Sequence, residues 1–353
     1  MHCRRITAGA LLACAASVAS MLVVPPPAVA RPLRRPAAAA AAAARFDAPG
    51  LLVTETDSRV VALGDVHGDY RALCAALVAA GLLDVETGGW CGGDTVLVQL
   101  GDILDRGDSE SECWELLQRL KEEARASGGG VVCLIGNHEV MNVAGRAAPF
   151  LHPRGHACFG DDRAAAWRQG GPLASALADC PVIAIVGDSA FVHAHLPAGT
   201  THDSMRRLND EVRDWLLDPR ARPPRWIWGG DQSPVWERSL SVPSDGEPSA
   251  SACAALRASL QSLGVSRVII GHTPQAQING ACSGAVWRCD TGMSRWVLGG
   301  PCEALEITAA GDVRVLGGRR AAAAAAPAAG QKLTAPDSKC GADDCEVSYY
   351  DVM

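Results

Sequence analysis

Three successive apolar runs of strand length, 60–63, 96–100 and 131–135, stop at a glycine followed by an acid or amide. The junctions read Gly64-Asp65-Val66-His67-Gly68, Gly101-Asp102-Ile103-Leu104-Asp105-Arg106-Gly107 and Gly136-Asn137-His138-Glu139. An uninterrupted apolar strand is stable only when both its faces are covered, so these runs belong inside a layered sheet. Ligand-binding groups in such sheets gather beyond the carboxyl ends of the strands, which puts the three polar junctions on one rim.

Further runs at 182–186, 191–192 and 268–270 extend the pattern, and the last two end in His193-Ala194-His195-Leu196 and Gly271-His272-Thr273-Pro274. Between the runs, helix-period segments predict helices over 69–80, 109–126, 204–217 and 252–263. The alternation of strand and helix predicts an α/β domain of packed layers.

The junctions carry metal-binding chemistry. Asp65 and His67, two residues apart with glycines permitting a tight turn, offer an oxygen and an imidazole nitrogen to a hard or borderline divalent ion. Asp102 is a carboxylate able to bridge two cations, Asn137 adds a neutral amide oxygen, and His193 and His272 add imidazoles. Either His193 or His272 taken alone reads more readily as a satisfied core or turn residue. Five such clusters at one topological level do not.

Taken in order, these motifs resemble the phosphoprotein phosphatase family of calcineurin-like metallophosphoesterases, over about residues 59–310. The longer strings at 99–108 (QLGDILDRGD), 136–143 (GNHEVMNV) and 233–238 (SPVWER) resemble its Shewanella-like branch. The resemblance implies a metallophosphoesterase fold: a central β-sandwich flanked by helices, with a dinuclear metal site at strand carboxyl ends. Asp65, His67 and Asp102 would hold one ion and Asp102, Asn137, His193 and His272 the other, as manganese or an iron and zinc pair. It further implies that His138, oriented by Asp105, protonates the leaving oxygen, that Arg106 and Asn137 grip the phosphate, and that Glu139 supports them. The family pattern His-Gly-Gly-Leu is replaced here by His193-Ala194-His195-Leu196. His193 takes the ligand position, and His195 is a substrate contact or an alternative ligand. Arg238, beside Trp236, is a candidate second phosphate clamp. Asp290 is a candidate for orienting a metal-bound histidine.

The expected reaction is in-line attack of water, activated between two cations, on a phosphomonoester. A phosphoprotein or phosphopeptide carrying phosphoserine, phosphothreonine or phosphotyrosine is the expected substrate. Two alternatives stand beside it: a dinucleoside polyphosphatase or other small-molecule phosphoesterase on the same scaffold, and a phosphoprotein-binding module without turnover.

A formal net charge of −7 argues against a nucleic-acid partner. Residues 1–30 read as a signal or transit peptide, with Arg4 and Arg5 ahead of an apolar run and Ala28-Val29-Ala30 as the cleavage site. The expected location is therefore non-cytosolic, by the secretory route or in the chloroplast, with no stable membrane span in the mature chain. Residues 31–50 form a Pro/Ala-rich linker, 51–317 the catalytic domain and 318–353 an Ala-rich, acidic tail. Cys282, Cys289 and Cys302 fall close together, and Cys340 and Cys345 span a short tail loop. An oxidising compartment would pair some of these, and buried thiols are the alternative. The stretch 141–179, with Arg146, His152, Arg154, His156, Arg163 and Trp167, reads as a lid, a recognition insertion or a shield over the core.

Overall fold

In the computed structural model, which describes residues 53–54 and 56–317 apart from 156 and 161, the apolar runs become the middle of two sheets. The expected leader, linker and tail, with Cys340, Cys345 and also His156, lie outside the described residues. In chain order the strands are β1 (Val53–Thr54), β2 (Val60–Leu63), β3 (Val96–Gln99), β4 (Gly130–Cys133), β5 (Ile183–Val186) and β6 (Ser189–Val192). They continue as β7 (Arg267–Ile270), β8 (Asn279–Ala281), β9 (Val286–Arg288), β10 (Glu303–Ile307) and β11 (Val313–Gly317). One sheet runs β11-β10-β2-β3-β4 and the other β1-β5-β6-β7-β9-β8.

Side-chain alternation along these strands feeds two cores. Val60, Ala62, Val96, Val98 and Val132 of the first sheet meet Ala184, Val186, Phe191 and Ile269 of the second, and so form the filling of a sandwich. The intervening residues, among them Val61, Leu63, Leu97, Ile183, Val192 and Val268, join a larger cluster with helical side chains. Truncating a fully buried leucine such as Leu97 or Leu117 in such a core costs about 2–5 kcal/mol.

The helices are α1 (Tyr70–Ala79), α2 (Glu110–Ala126), α3 (Asn137–Val143), α4 (Arg163–Trp167), α5 (Pro172–Leu177), α6 (His202–Leu217) and α7 (Ala250–Leu263). Caps set where they begin. The Asp69 carboxylate accepts the Ala72 N–H, so α1 starts after it. Thr201 and Ser204 form a capping box that starts α6 two residues ahead of the predicted 204, and Ser249 caps α7 ahead of the predicted 252. The stretch 141–179, poor in apolar runs, holds the end of α3 and all of α4 and α5. Trp167, 1% exposed, anchors it edge-on against Trp114 of α2 with ring centroids 5.8 Å apart.

Register places the site. β2, β3 and β4 are parallel, with Leu63 opposite Gln99 and Gln99 opposite Cys133, so the three junctions leave the sheet side by side. β6 and β7 are parallel too, with Phe191 opposite Ile269, which brings the loops of His193 and His272 out together. One cysteine expectation is corrected: Cys282 forms a disulfide with Cys253 of α7, not with Cys289 or Cys302. The short turn Cys282–Gly284 carries it there, with Cα atoms 5.4 Å apart, while Cys289 is a buried thiol. Among the described residues no helix is long and apolar enough to cross a membrane.

Candidate metal centre

Five of the residues that leave these strands take left-handed backbone: His67 at φ 45°, Asp102 at 53°, Asp105 at 65°, Arg106 at 67° and His272 at 69°. Such conformations are costly for residues with a Cβ and cluster where function demands them. Two glycines let the carboxylates reach the backbone. A Cβ on Gly136 would lie 2.2 Å from Asp102 Oδ1, and one on Gly271 would lie 2.5 Å from Asp65 Oδ1. In their absence the His138 and His272 N–H groups donate to those two oxygens at 2.9 and 3.0 Å.

The side chains converge on Asp102. His193 Nε2 is 3.4 Å, His67 Nε2 3.7 Å and His138 Nε2 4.0 Å from Asp102 Oδ2. Asp65 Oδ2 is 3.9 Å from His67 Nε2, and Asn137 Oδ1 is 2.9 Å from His193 Nε2. Two triads with the spacing of a metal site result, His67-Asp102-His138 and Asp102-His193-His272, and Asp102 belongs to both.

Each imidazole is oriented by a backbone carbonyl on its far nitrogen: His67 Nδ1 by Leu104, His193 Nδ1 by Leu100 and His272 Nε2 by Trp236, at 3.0, 2.8 and 3.2 Å. A carbonyl only accepts, so the contacted nitrogen carries the proton, and at His67 and His272 the other presents its lone pair to the cavity. Burial, reinforced at His67 by His138 and at His272 by His193, holds both rings well below the usual histidine range and therefore neutral. Burial and the neighbouring Asp290 push Asp65 well above the usual carboxylate range. Burial works against Asp102 too, yet the charges of His193 and His138 outweigh it and hold the carboxyl well below its usual range. His193 in turn is raised to about 10, burial being overcome by Asp102. Two neutral imidazoles, and a third whose extra proton is held by the Asp102 charge that a divalent cation would take over, form a donor set that fits such a cation.

Glu139 organises the loops from behind. Its Oε2 accepts the Asp102 and Gly136 N–H groups, both at 2.8 Å, and its Oε1 accepts those of Ile103 and Leu104 at 2.9 and 3.2 Å. His138 faces the triads with Nε2, while its Nδ1 donates to Asp105 Oδ2 at 2.7 Å. Arg106 stands beside it, Nη2 being 3.5 Å from His138 Nε2, and Phe150 packs edge-on against the His138 ring.

Three sequence candidates fall outside the cluster's centre. His195 is not in either triad; its Nδ1 lies 3.4 Å from Ser239 Oγ. The strand ends at Val192, so no strand alternation aims His193 and His195 the same way. Arg238 donates from Nη1 to the His272 carbonyl at 3.2 Å and to Thr273 Oγ1 at 2.9 Å. Asp290 accepts the Gly292 N–H at 2.8 Å and acts on Asp65 by charge rather than by orienting a histidine. Sequence reasoning missed Asn142, Glu110, the Trp236 carbonyl and the part played by Arg163. Asn142 alone had a signal, standing four residues after His138 on a helix.

The sequence profile of the calcineurin-like phosphoesterase family matches residues 58–276. Shewanella-like protein phosphatase 2 of Arabidopsis thaliana is 36% identical over 310 residues, covering 74% of this chain and 78% of the relative. Shewanella-like protein phosphatase 1 of Plasmodium berghei is 26% identical over 67% of this chain and 68% of its own length. Among solved structures, the cold-active protein-tyrosine phosphatase of a psychrophilic Shewanella species superposes with a TM-score of 0.56 at 23% identity, over 77% of this chain and 83% of that one. That last likeness shows the fold, the helix-flanked sandwich expected from the motifs. With junction motifs, fold and relatives in agreement, this chain belongs to the calcineurin-like phosphoesterase family, in its Shewanella-like protein phosphatase branch.

Proposed function

We propose that this metal-dependent phosphoester hydrolase is a protein phosphatase acting on phosphoserine, phosphothreonine or phosphotyrosine. Its two cations, manganese or iron with zinc, are held by Asp65, His67, Asp102, Asn137, His193 and His272. The observation that carries the reading is the shared carboxylate of Asp102, common to two ligand triads on one rim. Bound there, the cations supply Lewis acidity and an activated water. Asp65 rather than His138 completes the first ligand set, because Asp105 occupies His138 Nδ1 and readies that ring to carry a proton.

The remaining steps belong to the chain's own residues. Arg106 and the Asn137 amide hold the phosphate oxygens. His138 delivers the proton on Nε2 to the leaving oxygen as the phosphorus–oxygen bond breaks. Arg238 spends Nη1 on the His272 carbonyl and on Thr273, and its remaining N–H groups would serve as the second phosphate clamp. His195 contributes through Ser239, which lies next to Arg238 in the chain. The names of the relatives, which are called protein phosphatases, favour protein substrates over dinucleoside polyphosphates. The leader-like sequence expected at 1–30 and the Cys253–Cys282 disulfide favour an oxidising, non-cytosolic compartment.

The test is activity of the manganese-loaded chain on phosphothreonine and phosphotyrosine peptides, with a dinucleoside polyphosphate in parallel. Asp102→Asn should lose activity together with bound metal. His138→Ala should keep its metal and lose about 10²–10⁴ in kcat. A wild-type chain that is metal-loaded yet inert on p-nitrophenyl phosphate and on both peptides would refute the reading.

A further inference from the structure

Asp105, the partner of His138, does not stand alone. Its Oδ1 accepts Asn142 Nδ2 at 2.9 Å and Arg163 Nη2 at 3.3 Å, which leaves Oδ2 to His138. The Asn142 amide is itself oriented, since its Oδ1 accepts Arg163 Nη2 at 2.8 Å and Nε at 3.2 Å while Nδ2 also donates to the His138 carbonyl. Arg163 further clasps Glu110, Nη2 to Oε1 at 3.0 Å and Nη1 to Oε2, and Glu110 Oε1 accepts the Asp105 N–H. Arg163 is only 8% exposed, and Asp105 and Glu110 are fully buried. Arg163 comes from α4, in the stretch 141–179, far in sequence from the motif it reaches.

From this geometry we infer that Arg163 is a positioning residue for leaving-group protonation, holding Asp105 through Oδ1, directly and through Asn142, so that Oδ2 stays on His138 Nδ1. The inference rests on the phosphatase reading above. A planar guanidinium suits the task because one fork meets two carboxylates and an amide at once. Without it, Asp105 is free to rotate and Asn142 to flip, and either motion takes the acceptor from His138. The buried Glu110 would then pull on the Asp105 backbone without a counter-charge. Trp167 and Phe159 hold α4 in place for this, the Arg163 guanidinium lying 5.3 Å from the Phe159 ring centre and Phe159 packing edge-on against Trp167.

The experiment compares two substrates on the manganese-loaded enzyme. p-Nitrophenyl phosphate expels an acidic phenol that scarcely needs a proton; a phosphoserine peptide expels an alkoxide that does. Arg163→Met should lose at least about tenfold more kcat on the phosphoserine peptide than on p-nitrophenyl phosphate, with metal content retained, and Arg163→Lys should recover part of the difference. Should Arg163→Met fail to fold because Glu110 is left unpaired, Arg163→Met with Glu110→Gln removes both charges and is read in the same way. Equal losses on both substrates, or none, overturn the inference while leaving the phosphatase reading intact. A wild-type enzyme inert on both substrates sinks that reading instead.

Discussion

Removing the Cys253–Cys282 bridge tests whether this fold depends on an oxidised crosslink. The bridge ties α7 to the turn that precedes β9 and closes a loop with a sequence separation of 29. Loop closure at that length removes about 12 cal/mol/K from the unfolded chain, or roughly 3.6 kcal/mol at 25 °C. For a domain of this size that corresponds to a fall in Tm of about 7–14 °C. The variant Cys253→Ala with Cys282→Ala avoids leaving a buried hydroxyl in place of either sulfur. Urea unfolding of the variant, of the oxidised wild type and of the wild type in reductant should give a low midpoint for the first and third and a high one for the second. Neither cysteine touches the metal centre, so kcat/KM of the folded variant should match wild type below its transition. A variant as stable as oxidised wild type, to within about 0.5 kcal/mol, would refute the crosslink's contribution.

Glu139→Gln replaces one of two acceptor oxygens by an amide, leaving two buried backbone N–H groups facing a donor at about 1–3 kcal/mol each. Uncharging a carboxyl that burial pushes up to about 7 offsets part of this, so a lower urea midpoint and weaker metal retention are expected, and wild-type values for both would refute the loop-holding role. Among the thiols of the described residues, Cys91 is exposed, whereas burial drives Cys133 up to about 12. Iodoacetamide mapped by mass spectrometry should modify native Cys91 well before Cys133, Cys180 or Cys289, and equal rates would contradict the packing of the core.

The sheet was legible because continuous apolar runs have few places to go, and the ligand set because it follows those runs within a few residues. β2 to β7 all lie on predicted runs, displaced by a residue or two where backbone pairing, not hydrophobicity, ends a strand. β8, β10 and β11 were not anticipated. Asn279-Gly280-Ala281 and Val313–Gly317 are short, half-exposed edge segments whose identity comes from the neighbours they pair with. The acid-positioning network was illegible for a different reason. An arginine at 163, amid Asp162 and a run of alanines, looks like any solvated helix start. What makes it buried is Trp167 closing on Trp114, a contact between residues over fifty positions apart that leaves no local pattern. Cys253 was missed in the same way, since it lies on α7, outside the expected trio, and meets Cys282 only in the folded chain.

The site's backbone explains why so much charged structure is buried behind it. Five residues in left-handed conformation cost about 1–2 kcal/mol apiece, or about 5–10 in all, which is comparable to the whole net stability of an ordinary domain. The glycines beside them remove clashes but do not repay that cost. Glu139 does so for the Asp102 loop with three backbone N–H bonds, and Glu110 with Arg163 does so for the turn through Asp105 and Arg106. These residues therefore act on conformation before they act on chemistry. Loosening one of them lets the turn relax toward ordinary backbone angles, carrying Asp102 or Asp105 away from its histidine while the sandwich beneath, held by its own apolar layers, stays folded.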